Sequence, residues 1–252
     1  MHPIPEAMTP AAVAILGVAA LATSVLSAVV GMAGGLTLLT VMLFFFEPLV
    51  AVPLHGVVQL ISNGSRSAIH RRHLRWDIVL PYAVLLLPMG FAGLWLARNL
   101  PADITRALIG AFVLLATWAP RALMLGVHPE DIDPRRRFFA LGGVVGILNP
   151  AIGATGPLLA PFFLHMGLDR FALVGTKAAC QALGHLAKIF VFGLAGFVFA
   201  EYLSLLVLLG VLVMVGTWLG TRILGHVSER TFTLLYQVVL SALALRLLVS
   251  AL

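Results

Sequence analysis

The sequence predicts an all-α polytopic membrane protein of two inverted-topology repeats. Each repeat is expected to hold a broken or re-entrant helix hairpin plus three transmembrane helices. Three observations lead there. First, 61% of the residues are hydrophobic and only 10% are charged, with a mean hydropathy of +1.06. A chain of 252 residues with that balance cannot cover a soluble core with polar surface. Second, apolar blocks of about 20 residues, the length a helix needs to cross hydrocarbon, recur between short charged stretches. Third, the chain repeats itself: Gly31, Gly34 and Gly35 return 122 positions later as Gly153, Gly156 and Pro157.

The apolar segments fall at about 9–30, 36–46, 50–69, 77–97, 107–127, 138–148, 154–166, 171–196, 203–221 and 231–250. Segments 36–46, 138–148 and 154–166 are too short to span alone. They flank "GMAGG" and "NPAIGATGP", so each break is expected to join half-length or bent helices into a hairpin. One transmembrane domain of two repeats, about 9–127 and about 138–250, results, with a cytoplasmic linker at about 128–137. "MHPIPEAMTP" lacks the basic region of a cleavable signal, so the first helix is expected to be retained. Cys180 is the sole cysteine, which excludes a disulfide within the chain and a cysteine-based metal cluster.

Arginine placement orients the helices. Most of the Lys and Arg residues sit in or beside "HRRHLR" (70–75), "HPEDIDPRRR" (128–137) and the ends near Arg121, Arg170, Arg222 and Arg230. That side is read as the cytoplasmic face of an inner membrane, with Arg98, Arg106, Arg246 and both termini external. The net charge of +6 is then a topology signal, and nucleic acid is not expected as a partner. The bilayer and a small anion are the expected partners, and the sequence also allows a homodimer.

The offset of 122 places His55, Gln59, Asn63 and Arg66 on Lys177, Gln181, His185 and Lys188. Both quartets follow i, i+4, i+8, i+11, so each forms one polar stripe on a helix face. A hairpin plus an odd number of crossings inverts the second copy, an arrangement found in transporters with broken helices at the midplane. Glycine lets the backbone leave helical geometry, and irregular backbone at that depth must line a cavity or be buried in protein. The half-helices starting near Leu36 and Leu158 would then aim free N–H groups and positive dipole ends at a common centre. Thr37 and Thr155 would add hydroxyls.

The stripes contain Arg66, Lys177 and Lys188 with no Asp or Glu, so the missing counter-charge is read as an anionic ligand. Duller uses exist for the same residues. Gly31, Gly34 and Gly35 would also permit close helix packing, and Arg66 or Lys177 could snorkel to headgroups. Gln59, Asn63 and Gln181 could be interhelical glue. His55 and His185 are either packing groups or proton carriers, since histidine is the side chain that titrates near neutral pH.

"VVGMAGGLTLL", "RRHLRWD", "IGATGPLLAP" and "ALVGTKA" together resemble the sulfite exporter TauE/SafE family, also called the toluene-sulfonate uptake permease family. The resemblance covers nearly the whole chain. It implies a secondary transporter for sulfite, sulfoacetate or other organosulfonates. Ala33 replaces one glycine of the usual run, and His55 stands where small hydroxyl residues are common. The expected substrate-binding residues are Gly34, Gly35, Thr37, His55, Gln59, Asn63, Arg66, Thr155, Gly156, Lys177, Gln181, His185 and Lys188, with His185 and His55 as proton-coupling candidates. No metal or cofactor site is expected: the chain has no HExxH and no GxxxxGK[ST] motif. A passive anion channel is the alternative. An embedded enzyme using Ser62, Ser65 or Ser67 near His70 ranks lower, because it ignores the repeat.

Overall fold

Thr9 starts the first helix by accepting the Ala12 N–H on its hydroxyl at 3.2 Å, with Pro10 in the first turn, where a missing N–H costs nothing. In the computed structural model, residues 8–30, 33–163, 166–223 and 229–249 are described. Among them are helices and turns but no strand. The helices of the first half are α1 (Pro10–Val30), α2 (Ala33–Met42), α3 (Pro48–Ile69), α4 (Trp76–Val84), α5 (Leu86–Asn99) and α6 (Ala102–Trp118). Those of the second half are α7 (Pro134–Ile152), α8 (Gly156–Phe163), α9 (Arg170–Leu194), α10 (Leu203–Ile223) and α11 (Glu229–Val249).

Small residues set the directions of the helices through close contacts. Gly142 lies against the Tyr82 carbonyl and Gly146 against the Leu86 carbonyl, so α7 runs beside α4 and α5 in the same sense. Gly17 meets Leu212, and Gly216 meets Leu21 and Ser24, so α1 and α10 are also parallel. α3 and α9 are antiparallel: His55 faces His185, Gly56 faces Lys188, and His70 faces Gly175. So are α6 and α11, where Gly110 meets Ala244 and Leu248 while Trp118 donates to Ser241.

One end of the bundle therefore carries Arg71, Arg72, Arg75, Arg135 and Arg136. Here Arg75 N–H donates to Thr176 of α9. The opposite end carries Arg106, paired with Glu47 at 2.8 Å, and Arg98, which donates to the Ala195 carbonyl at 2.6 Å.

By length and hydropathy, Pro10–Ser27 and Phe199–Gly220 suffice to cross a membrane, and α4 with α5 does so as a pair bent by 45°. α3 and α9 are as long, but each spends one face on a buried polar stripe, which lowers its mean hydropathy.

Four boundaries differ from expectation. The single crossing at 77–97 is broken at Leu85, because Pro88 cannot donate to the Val84 carbonyl and Pro81 sits within α4. The segment 107–127 stops at Trp118: Pro120 pushes Ala119 out of helical geometry, to φ −135° and ψ 56°. The short segment 138–148 is in fact a helix of 19 residues. Asp133 caps its start by accepting the Arg136 N–H at 3.1 Å, so Arg135, Arg136 and Arg137 open α7 rather than closing a linker. Last, α2 begins at Ala33 rather than Leu36, which puts Gly34 and Gly35 inside its first turn.

Candidate functional site

α7 ends because Gly153 takes φ +84°, a left-handed conformation that glycine adopts without a Cβ penalty. The chain then turns at Ala154 and Thr155 and re-enters helix at Gly156. The Leu158 and Leu159 N–H groups close onto the Thr155 carbonyl at 3.1 and 3.3 Å. Gly156 N–H lies ahead of that ladder. The start of α2 lies across from this turn. The two helix starts, with α3 and α9, enclose a small polar cavity lined by Ser27, Gly35, Leu36, His55, Gln59, Asn63, Ala154, Thr155, Gly156, Pro157, Gln181 and His185.

Eight of the expected residues thus meet at one place: Gly35, His55, Gln59, Asn63, Thr155, Gly156, Gln181 and His185. The free volume is about 20 Å³, room for a water molecule and little more.

The rings of His55 and His185 meet edge to face, 5.7 Å apart. His55 Nε2 donates to the Gly35 carbonyl at 2.8 Å, since a carbonyl can only accept. A neutral His55 therefore carries its proton on Nε2 and leaves Nδ1 as an acceptor. That Nδ1, like Nδ1 of His185, is buried without a hydrogen-bond partner. Asn63 donates to the Gln59 carbonyl at 3.0 Å and to its Oε1 at 3.4 Å, so part of the first stripe is tied to itself.

The cations sit beside the cavity rather than in its lining. Arg66 is buried on α3 and donates to the Ser27 carbonyl, to Ser27 Oγ and to Ser62 Oγ, at 3.3, 3.3 and 3.0 Å. Lys188 is 1% exposed and donates to the Gly153 carbonyl at 2.8 Å and to Asn149 Oδ1 at 3.4 Å. Both side chains reach carbonyls near the C-terminal end of a helix, where a cation opposes the negative end of the dipole.

Gly34, Thr37 and Lys177 also stand outside the lining. Gly34 packs on the Thr23 carbonyl of α1 so closely that a Cβ would overlap it, the close-packing use of glycine. Thr37 is buried one turn into α2. Lys177 lies two turns closer to the arginine-rich end than His185. Gly31 lies outside the described residues.

Sequence reasoning missed Ser27 and Asn149. The signal was present, because Ser27 plus the repeat offset is Asn149. Each is the partner of the repeat-related cation, and both pairs are 39 residues apart. Among the described residues no cluster of three or more His, Cys, Asp or Glu could hold a metal ion.

These features define a helical membrane protein whose polar centre is buried where the starts of α2 and α8 meet. The profile of the family described as sulfite exporter TauE/SafE matches residues 15–247. The chain belongs to this family of membrane transporters. It is 25% identical over 244 residues to "Probable membrane transporter protein ORF9" of Sinorhizobium sp, covering 93% of this chain and 92% of that protein. No solved structure matches it.

Proposed function

We propose that this chain is a secondary-active transporter that moves sulfur-containing anions (sulfite, sulfoacetate or other organosulfonates) across the inner membrane by alternating access. One observation carries the reading: the starts of α2 and α8 converge on a cavity that has two imidazoles, two glutamines and no carboxylate in its lining. Helix N-termini present N–H groups and partial positive charge, so the site suits an anion and repels cations.

Arg66, Lys177 and Lys188 add positive field around the cavity. Lys188 lies within one turn of His185 on α9 and packs against Gly56, the neighbour of His55, so an arriving anion brings counter-charge to this cluster. Anion and proton then enter together, with His185 or His55 as the proton site.

Inverted repeats supply the alternation. The antiparallel pairing of α3 with α9 and of α6 with α11 supports this. So does the reciprocal packing of α1 on α10 and α7 on α4–α5. The arginine-rich end is the cytoplasmic one by charge bias, and a cavity of about 20 Å³ must open toward one end to admit a sulfonate.

The test is a thermal-shift and binding screen of the purified protein against sulfite, sulfoacetate, taurine, sulfate and acetate, followed by flux into liposomes. Saturable binding of a sulfonate or sulfite, with uptake against its gradient when a proton gradient is imposed, is expected. Flux that only runs downhill would identify a channel instead. Absence of binding to every sulfur anion would overturn the substrate class.

A further inference from the structure

The structure assigns Arg66 and Lys188 as a repeat-related pair of positioning residues, each clamping the end of its hairpin's first helix so that the following helix start stays aimed at the cavity. The role rests on the anion-site reading above, but the clamp itself is a statement about backbone geometry.

Four observations carry it. Lys188 and Arg66 occupy equivalent places in the two halves, and their side-chain partners Asn149 and Ser27 are equivalent too, at the same separation of 39 residues. In each case the cation sits on the long helix, α9 or α3, and the partner sits on the helix that precedes the break, α7 or α1. Each also takes a main-chain carbonyl from that preceding segment: Gly153 for Lys188 and Ser27 for Arg66. Finally, neither cation is among the residues that line the cavity, although both are almost fully buried.

The physical reason for two buried cations without carboxylates follows. A broken helix leaves unpaired carbonyls at its C-terminal end, and water is scarce at this depth. A positive donor satisfies those carbonyls and opposes the dipole in one contact. At the second break this contact falls on Gly153, the residue that turns the chain between α7 and α8. Loosening it frees the turn that presents Thr155 and Gly156. The anion is met by the helix starts and the imidazoles, and the cations keep those starts in place.

The experiment compares the full-length protein with Lys188→Met, Lys188→Arg, Asn149→Ala and Asn149→Ala/Lys188→Met in detergent. The first readout is hydrogen exchange of the segment 149–158, with no ligand present. Lys188→Met is expected to raise exchange there about tenfold and leave α10 unchanged. Lys188→Arg should restore protection, and Asn149→Ala should fall between.

The second readout is the Kd for sulfoacetate. Asn149 does not line the cavity, so a weakening of several-fold by Asn149→Ala, not additive with Lys188→Met, marks action through the clamp. Wild-type exchange at 149–158 in Lys188→Met would overturn the proposal. So would a Kd that Asn149→Ala leaves unchanged while Lys188→Met abolishes binding, because Lys188 would then touch the anion itself. If Lys188→Met fails to fold, Asn149→Ala and Lys188→Arg still decide it. If the wild type binds no sulfur anion, the substrate reading fails, and the exchange data alone judge the clamp.

Discussion

At the scale of single residues, the histidines carry the sharpest expectation. His55 already uses Nε2 on the Gly35 carbonyl, and Nδ1 of each ring is buried without a partner. A neutral Nδ1 turns a lone pair toward its surroundings, whereas a protonated one becomes a donor an anion can use. Affinity for a sulfur dianion is therefore expected to rise as pH falls from about 7.5 to about 5.5, across the ordinary histidine range. Proton and anion each strengthen the binding of the other by linkage. His185→Gln should flatten that slope in calorimetric titrations at several pH values while keeping measurable binding, because the amide still donates. An unchanged slope in His185→Gln that disappears in His55→Gln would move the proton to His55. A slope unchanged in both would remove the histidines from coupling. Lys188→Ala, which deletes the deepest cation, is expected to abolish liposome uptake while the protein remains folded by size exclusion and circular dichroism. Uptake near the wild-type rate would leave Lys188 without a part in transport.

At the scale of elements, helix starts are the features most open to test. Asp169 opens α9 by accepting the Phe171 and Ala172 N–H groups at 2.8 and 2.9 Å. These bonds hold its carboxyl below the ordinary aspartate range. The sign follows from that depression. The stabilisation is fully present above the unfolded pKa, about 3.9, and fades as pH falls through the lower folded value. Asp169→Ala should lower Tm at pH 7 and cost progressively less as the pH drops below about 4, where the wild-type cap is itself being protonated. An equal loss of Tm at pH 3 and pH 7 would contradict the cap. The bend at Leu85 is a second feature of this scale. The prolines behind it were visible in the sequence, but apolar length alone made 77–97 one unbroken helix.

At the scale of the whole molecule, topology is the claim with the widest consequences. α7 runs alongside α4 and α5 in the same sense, which puts Arg72 and Arg136 at one end of the bundle and Asp103 at the other. Single cysteines at these positions can be probed in cells, because the native Cys180 is buried. Arg72→Cys and Arg136→Cys should react only with a membrane-permeant maleimide. Asp103→Cys should also be labelled by an impermeant one. Labelling of positions 72 and 103 from the same face would contradict the helix directions, and a reversed pattern would place the arginine-rich end outside.

The sequence by itself determined the solvent, the helical class, the break at Gly153 and the two stripes. Each of these is written locally, as hydropathy over a helix length, as Gly and Pro at a junction, or as a spacing of four. The internal offset even placed the cavity-lining Gln59 on Gln181 and Asn63 on His185, in matching stripes. Only the tertiary structure decided what each polar group touches. A stripe defines a helix face but not its neighbour, so nothing in the order of residues distinguished Lys188 on the Gly153 carbonyl from Lys188 on a ligand. The same holds for Gly34, which the motif grouped with Gly35. They are adjacent in sequence but about 100° apart around a helix, so Gly34 packs on α1 and Gly35 meets the cavity.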